Sequence, residues 1–136
     1  MWNRWFAPLC LALVWTAYAQ DTDATRKRFA GDWQAKFNGA PFLTLHVEAG
    51  AKVEGTISTG RITVDDNGEL TDAEAQPEGK ELDLMKVRVD GDRMTFEVDA
   101  NGELMRFEMR LTGEGKGELR FSGTEVKIKP IRLDRK

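Results

Sequence analysis

The chain has 136 residues, of which 40% are hydrophobic, and carries 20 basic and 23 acidic side chains. This length suits one domain with its own core. The formal net charge of −3 argues against nucleic acid or an anionic membrane as a partner.

Residues 1–19 have the pattern of a cleaved secretory signal peptide. Arg4 gives a positive start, residues 5–14 form an apolar run, and Ala-Tyr-Ala at 17–19 fits the small-x-small cleavage rule. The run is shorter than the roughly 20 apolar residues that span a bilayer. We therefore expect a mature chain that starts at Gln20, in the periplasm or outside the cell, with no membrane association; a signal anchor is the alternative. Removal also takes away the only cysteine, Cys10, so no disulfide can form.

Residues 20–28 form a polar N-terminal arm that ends in three basic residues. Three basic residues are too few for a charge block that binds a polyanion. We therefore expect a solvated arm or one short helical turn, with a binding tail as the alternative.

From Asp32 onward, apolar and polar residues alternate with period two. The apolar phase includes Trp33, Ala35 and Phe37; Leu43, Leu45 and Val47; Met94, Phe96 and Val98; Met105, Phe107, Met109 and Leu111; and Val126 and Ile128. Such alternation predicts strands with one face in a core and the other in water. No comparable stretch has the period of a helix.

Turn signals between these strands favour tight links. Asn38-Gly39, Asp90-Gly91 and Asn101-Gly102 are typical of two-residue hairpins. The sequence therefore predicts an all-β fold, an antiparallel up-and-down meander barrel of about 8–10 strands over residues 29–136. Residues 71–81 are polar and contain Pro77 and Gly79, so we predict a long loop at the barrel mouth there.

Phe29-x-Gly31-x-Trp33 on the first strand, with antiparallel hairpins behind it, resembles the lipocalins and their calycin relatives. The resemblance implies a lipocalin-like barrel in which Gly31 and Trp33 belong to a closed end and an arginine of the last strand packs over the Trp33 ring. Arg132 is the expected arginine because it shares the even phase of Val126 and Ile128. Cation–π packing of this kind is worth about 0.5–2 kcal/mol.

A second similarity is to the first strands of the avidins. It rests on Gly31-x-Trp33, Phe42-Leu43 and Val53-x-Gly55-Thr56. An avidin-type biotin site needs further tryptophans and a tyrosine, and the sequence has none after Trp33. Biotin is therefore not expected as a ligand.

The predicted barrel interior is rich in aromatic and methionine side chains. The candidate ligand-binding residues are Trp33, Phe37, Met94, Phe96, Met105, Phe107, Met109 and Phe121. An eight-stranded barrel is just wide enough to be filled by side chains or to hold one small ligand. We therefore expect a non-catalytic exported protein that binds a small apolar molecule in its barrel. The alternative is a secreted protein-interaction or inhibitor-like module with a filled core.

Catalytic and metal-binding patterns are weak in this sequence. His46 is the only histidine and lies on the outward phase, and neither Ser58 nor Ser122 has a nucleophile-elbow context. The acidic turn segments 65–69 and 99–103 lack the regular ligand spacing of an EF-hand loop. We therefore expect no enzyme, metal site or cofactor.

Overall fold

A computed structural model describes residues 22–75, 80–122 and 127–136. The predicted signal peptide, the new N-terminus at Gln20 and the strand position of Val126 lie outside the described residues.

The described residues form one short helix and eleven strands. They are α1 (Asp23–Lys27), β1 (Gly31–Phe37), β2 (Ala40–Ala49), β3 (Val53–Thr59), β4 (Arg61–Val64), β5 (Leu70–Glu74), β6 (Leu82–Asp83), β7 (Met85–Asp90), β8 (Arg93–Ala100), β9 (Glu103–Gly113), β10 (Lys116–Ser122) and β11 (Ile131–Arg135). Nine of the strands form one antiparallel sheet in the order β6-β3-β2-β1-β11-β10-β9-β8-β7. This sheet curls into a nearly closed barrel, which confirms the predicted all-β antiparallel meander barrel.

The first and last strands close the barrel on one side. β11 pairs with β1 through Trp33 opposite Arg135 and Gln34 opposite Asp134. Most other links are tight hairpins. Asn38 and Gly39 have φ of 53° and 82°, and Asn101 and Gly102 have φ of 57° and 87°. Two consecutive positive φ values match the right-handed twist of the flanking strands, as the Asn-Gly signals predicted.

The core follows the predicted alternation. Its largest fully buried side chains are Trp33, Phe29, Phe96, Leu43, Leu45, Ile57, Met94, Met109, Leu119 and Leu133. Phe107 stacks on Phe96 with ring centroids 5.2 Å apart and tilts against Phe121 at 4.9 Å. The aromatic rings of three neighbouring strands therefore pack against one another inside the barrel.

The prediction of a loop over residues 71–81 was wrong for its first part, because residues 71–74 belong to β5. β4 and β5 form a separate hairpin in which Ile62 lies opposite Ala73. Ala73 is buried and Leu70 packs on the core, while the polar residues of β5 face water. A strand with so few inward apolar residues resembles a polar loop in the sequence. Residues 76–79 lie outside the described part.

The β4–β5 hairpin is tied to the segment that precedes β11. The backbone N–H of Lys129 donates to the carbonyl of Gly68 at 2.9 Å, and its ammonium lies 2.8 Å from Glu69 Oε1. The bond and ion pair with Glu69 raise the pKa of Lys129. These contacts hold the hairpin and the C-terminal segment together.

Candidate functional site

Arg135 covers the ring of the buried Trp33. The indole N–H of Trp33 donates to the carbonyl of Phe29 at 2.8 Å, and both residues are fully buried. The guanidinium carbon of Arg135 lies 4.6 Å from the Trp33 ring centroid. Arg135 also donates to the carbonyl of Arg28. Gly31 adjoins this cluster, because a Cβ there would lie 3.4 Å from Arg135 Nε.

The prediction that Arg132 covers Trp33 was therefore wrong. β11 begins at Ile131, directly after Pro130, and its buried residues are Ile131 and Leu133. Arg132 thus points outward, opposite Glu118 of β10. The even phase of Ile128 does not continue through Pro130, since β11 turns its odd-numbered side chains toward the core.

The predicted ligand-binding side chains come together in the barrel and pack tightly. Trp33, Met94 and Met109 have 0% accessible surface, and Phe96 and Phe107 have 2% each. Phe37, Met105 and Phe121 are partly buried and pack against this core. An open cavity of ligand size leaves accessible surface on the side chains around it, whereas protein cores are close-packed. The buried residues of this group therefore have the packing of a filled core.

His46 lies on the outer face of the barrel, between two carboxylates. Its Nδ1 is 2.5 Å from Asp32 Oδ1, and its Nε2 is 3.2 Å from Glu48 Oε1. The pKa of His46 is raised, first by the hydrogen bond with Asp32 and then by that with Glu48. Only the doubly protonated ring can donate to both carboxylates. Nearly half of the His46 side chain is exposed, as its outward phase predicted.

The acidic turns use their carboxylates to hold the backbone. Asp65 Oδ1 accepts from the N–H groups of Asn67 and Glu69, each at 2.9 Å, and Asp99 Oδ1 accepts from Gly102 at 2.7 Å. These are local turn contacts. Among residues 22–75, 80–122 and 127–136, no group of three or more His, Cys, Asp or Glu side chains is placed to hold a metal ion.

The barrel has one seam, between β3 and β6 on one side and β7 on the other. β6 pairs with β3 only through Thr56–Asp83 and Ile57–Leu82, and Leu84 adds one bond from its N–H to the carbonyl of Gly55 at 3.0 Å. β7 pairs with β8 but, within the described residues, with neither β3 nor β6. Beyond Gly55 the described residues form no further ladder across the seam, so the outer edge of β7 has no strand partner among them, although α1 and β3 lie near it.

A groove of about 610 Å³ lies in this open part of the seam. Its lining comes from α1, from the start of β3 with its preceding turn, and from the end of β7; the residues are Arg26, Ala51, Lys52, Val53, Val87, Arg88, Val89 and Asp90. We call it the seam groove. Val53 and Val87 are half-buried and Val89 is buried, so the groove has an apolar floor.

Cationic side chains dominate the rim of the seam groove. Arg26, Lys52 and Arg88 line it with a single carboxylate, Asp90, which lies 4.0 Å from Arg93. Arg26 pairs with Asp23 within α1. Neither Lys52 nor Arg88 forms an ion pair with another described residue. The groove is therefore positive although the whole chain is negative.

Sequence reasoning did not find the seam groove. Residues 82–89 have the composition of a strand, but their alternation is unclear at Leu84-Met85, and the structure has a break between β6 and β7 at that point. The blurred phase was the one signal that this segment is irregular. Whether a strand lies at an edge depends on its pairing with distant strands, which alternation does not report.

The chain matches no family model, no curated protein and no solved structure. The fold and the site therefore rest on the chain's own geometry. The described part of the chain contains no helix that is both long and apolar enough to cross a membrane.

Proposed function

We propose that this protein is a non-catalytic interaction module, exported after removal of residues 1–19, that binds a protein partner at the seam groove. One observation carries the proposal: the edge of β7, which no other described strand pairs with, borders a positive groove on a barrel whose buried interior residues are tightly packed. An unpaired strand edge is a ready-made template for another chain. The proposed partner is a protein, with no nucleic acid and no cofactor.

We also propose that the chain is related to the calycins. The pairing of β1 with β11 and the packing of Arg135 over Trp33 support it, because lipocalin-like barrels were expected to close in this way. Because the interior of this barrel is filled by side chains, a binding function on its outer surface is favoured over one inside it. The proposal therefore places the binding function outside the barrel.

Site-specific photocrosslinking in the cell that makes the protein tests this function. A photoreactive phenylalanine analogue replaces Arg88 in the seam groove or, as the matched control, Arg110, an exposed arginine on the outer face of β9. We expect one defined protein adduct from position 88 and none from position 110. Equal labelling from both positions, or no adduct from position 88, would overturn the proposal.

A small apolar ligand inside the barrel is the second candidate. This candidate is supported by three methionines: Met94 and Met109 lie in the core, and Met105 packs against it. Methionine side chains are flexible and can adapt to the shape of a ligand. A ligand would have to displace some of these side chains. Mass spectrometry of the purified protein under native and denaturing conditions tests this, and a mass lost on denaturation would support it.

A further inference from the structure

We propose that the seam groove takes an extended, acidic segment of the partner, which pairs with the outer edge of β7 as an added strand. This inference rests on the proposed function and specifies its partner. The mode is strand addition, in which the backbone provides affinity and alternate side chains provide specificity.

Backbone groups at the β7 edge are the first part of the argument. In a strand, alternate residues direct their N–H and C=O groups to opposite edges. β8 occupies one edge of β7 through the pairs Arg88–Thr95, Val89–Met94 and Asp90–Arg93. The other edge faces the groove and has no ladder within the described residues. The register of β7 is irregular between Met85 and Arg88, so Arg88 to Asp90 form the regular part of this edge, about three residues or roughly 10 Å of extended chain.

The walls of the groove select the side chains of the segment. Val53, Val87 and Val89 give apolar surface on both sides of the seam, whereas Lys52 and Arg88 give positive charge at the rim. A strand sends successive side chains to opposite faces. A segment that alternates apolar and acidic residues would therefore place one set on the valines and the other beside the two cations.

A second copy of the chain fits the groove less well than a free segment. The groove is bounded by β3 and by Arg26 of α1, so its occupant must be narrow. The β7 edge of another copy has its own β3 and α1 alongside, so it is wider than a single extended strand. A flexible segment without neighbouring strands has no such obstacle.

A synthetic peptide tests the chemistry directly. The probe is a fluorescein-labelled peptide of roughly nine residues, a usual strand length, in which glutamate and valine alternate. Two matched peptides serve as controls: one has lysine in place of glutamate, and the other has N-methyl groups on alternate backbone nitrogens. Fluorescence anisotropy measures binding to the mature protein, and hydrogen exchange measures the protection of the β7 amides.

We expect the glutamate peptide to bind and to slow amide exchange in residues 87–90, while both control peptides fail. The double variant Lys52→Glu/Arg88→Glu should raise the Kd at least about tenfold. The double variant Arg110→Glu/Arg120→Glu changes two exposed arginines on the outer face of β9 and β10 and should leave the Kd unchanged. If the first double variant does not fold, Arg88→Gln alone should raise the Kd in the same direction.

Several results would overturn the inference. Equal binding of the N-methylated peptide would exclude strand addition, and equal binding of the lysine peptide would exclude charge selection. Doubling of the native mass at assay concentration, abolished by Arg88→Glu, would assign the edge to a second copy. A specific adduct at position 88 without peptide binding would leave the proposed function standing and refute this inference. Peptide binding without any adduct in the cell would refute the proposed function, and with it the partner, while confirming strand addition of an acidic peptide at the β7 edge.

Discussion

Arg135 lies over the ring of Trp33 and is also the residue opposite Trp33 in the β1–β11 ladder. The same pair of residues therefore joins the first strand to the last and places a guanidinium group over the buried indole ring. Arg135 further donates to the carbonyl of Arg28, which links this end to the N-terminal arm. The guanidinium group of Arg135 therefore contacts both Trp33 of β1 and the end of the N-terminal arm.

Replacing that guanidinium should destabilise the protein. Arg135→Ala removes the cation–π contact, worth about 0.5–2 kcal/mol, and uncovers part of the Trp33 ring. Arg132→Ala is the matched control, since Arg132 is exposed on the same strand, and it should stay within about 0.5 kcal/mol. Urea unfolding followed by tryptophan fluorescence gives both values. Equal losses for the two variants would contradict the assignment of Arg135.

The aromatic cluster should account for a large share of the stability. Phe107 lies between Phe96 and Phe121 and is 2% exposed, so Phe107→Ala should cost about 3–5 kcal/mol. Leu104→Ala on the same strand is the control, because Leu104 is 57% exposed. It should change the free energy of unfolding by no more than about 0.5 kcal/mol. A loss below 1 kcal/mol for Phe107→Ala would mean that this part of the core is loosely packed.

Gly60 should not tolerate any side chain. A Cβ at this position would lie 1.7 Å from the carbonyl oxygen of Glu74, which belongs to the backbone and cannot swing away. We expect Gly60→Ala to cost more than about 2 kcal/mol, because β5 must move away from the β3–β4 link. Gly113→Ala is the control, since a Cβ there meets nothing within 4 Å. Thermal melting monitored by circular dichroism compares the two, and equal melting temperatures would contradict the close approach.

Stability should fall with rising pH through the titration of His46. Its pKa is raised in the folded protein above the ordinary 6.5 by the bonds with Asp32 and Glu48. The contribution is therefore fully present below pH 6.5 and is lost as the pH rises through the folded-state pKa. His46→Gln should flatten this slope between about pH 6 and pH 8. An NMR titration of the ring protons gives the folded-state pKa directly, and a value below 6.5 would refute the contact.

Most of the barrel could be predicted from alternation and turn chemistry. One-sided burial forces period two on the sequence, and Asn38-Gly39 and Asn101-Gly102 supply the positive φ that tight hairpins need. β5 could not be predicted in this way, because only Leu70 and Ala73 turn inward and the strand depends on pairing with β4. The partner of Trp33 was missed because Pro130 resets the phase just before β11.

The candidate site was less predictable than the fold. The interior residues were correctly placed on the inward phase, but alternation does not tell whether they enclose a cavity or fill it. The seam groove exists because, among the described residues, β7 does not pair with β3. The last bond that they form across the seam is the one from the Leu84 N–H to the Gly55 carbonyl, and the strand is interrupted just before β7. Such long-range pairing leaves no local pattern in the sequence.

The β1–β11 closure also has a kinetic consequence. It joins strands from opposite ends of the described chain, so the entropy of a very long loop must be lost before the pairing can stabilise anything. Barrels dominated by such non-local contacts fold in roughly milliseconds to seconds, slowly for domains of this size. Until Ile131–Arg135 has emerged, both β1 and β10 present open edges to other chains. A chain that lacks β11 would therefore expose two more strand edges than the complete fold and would be more prone to aggregation.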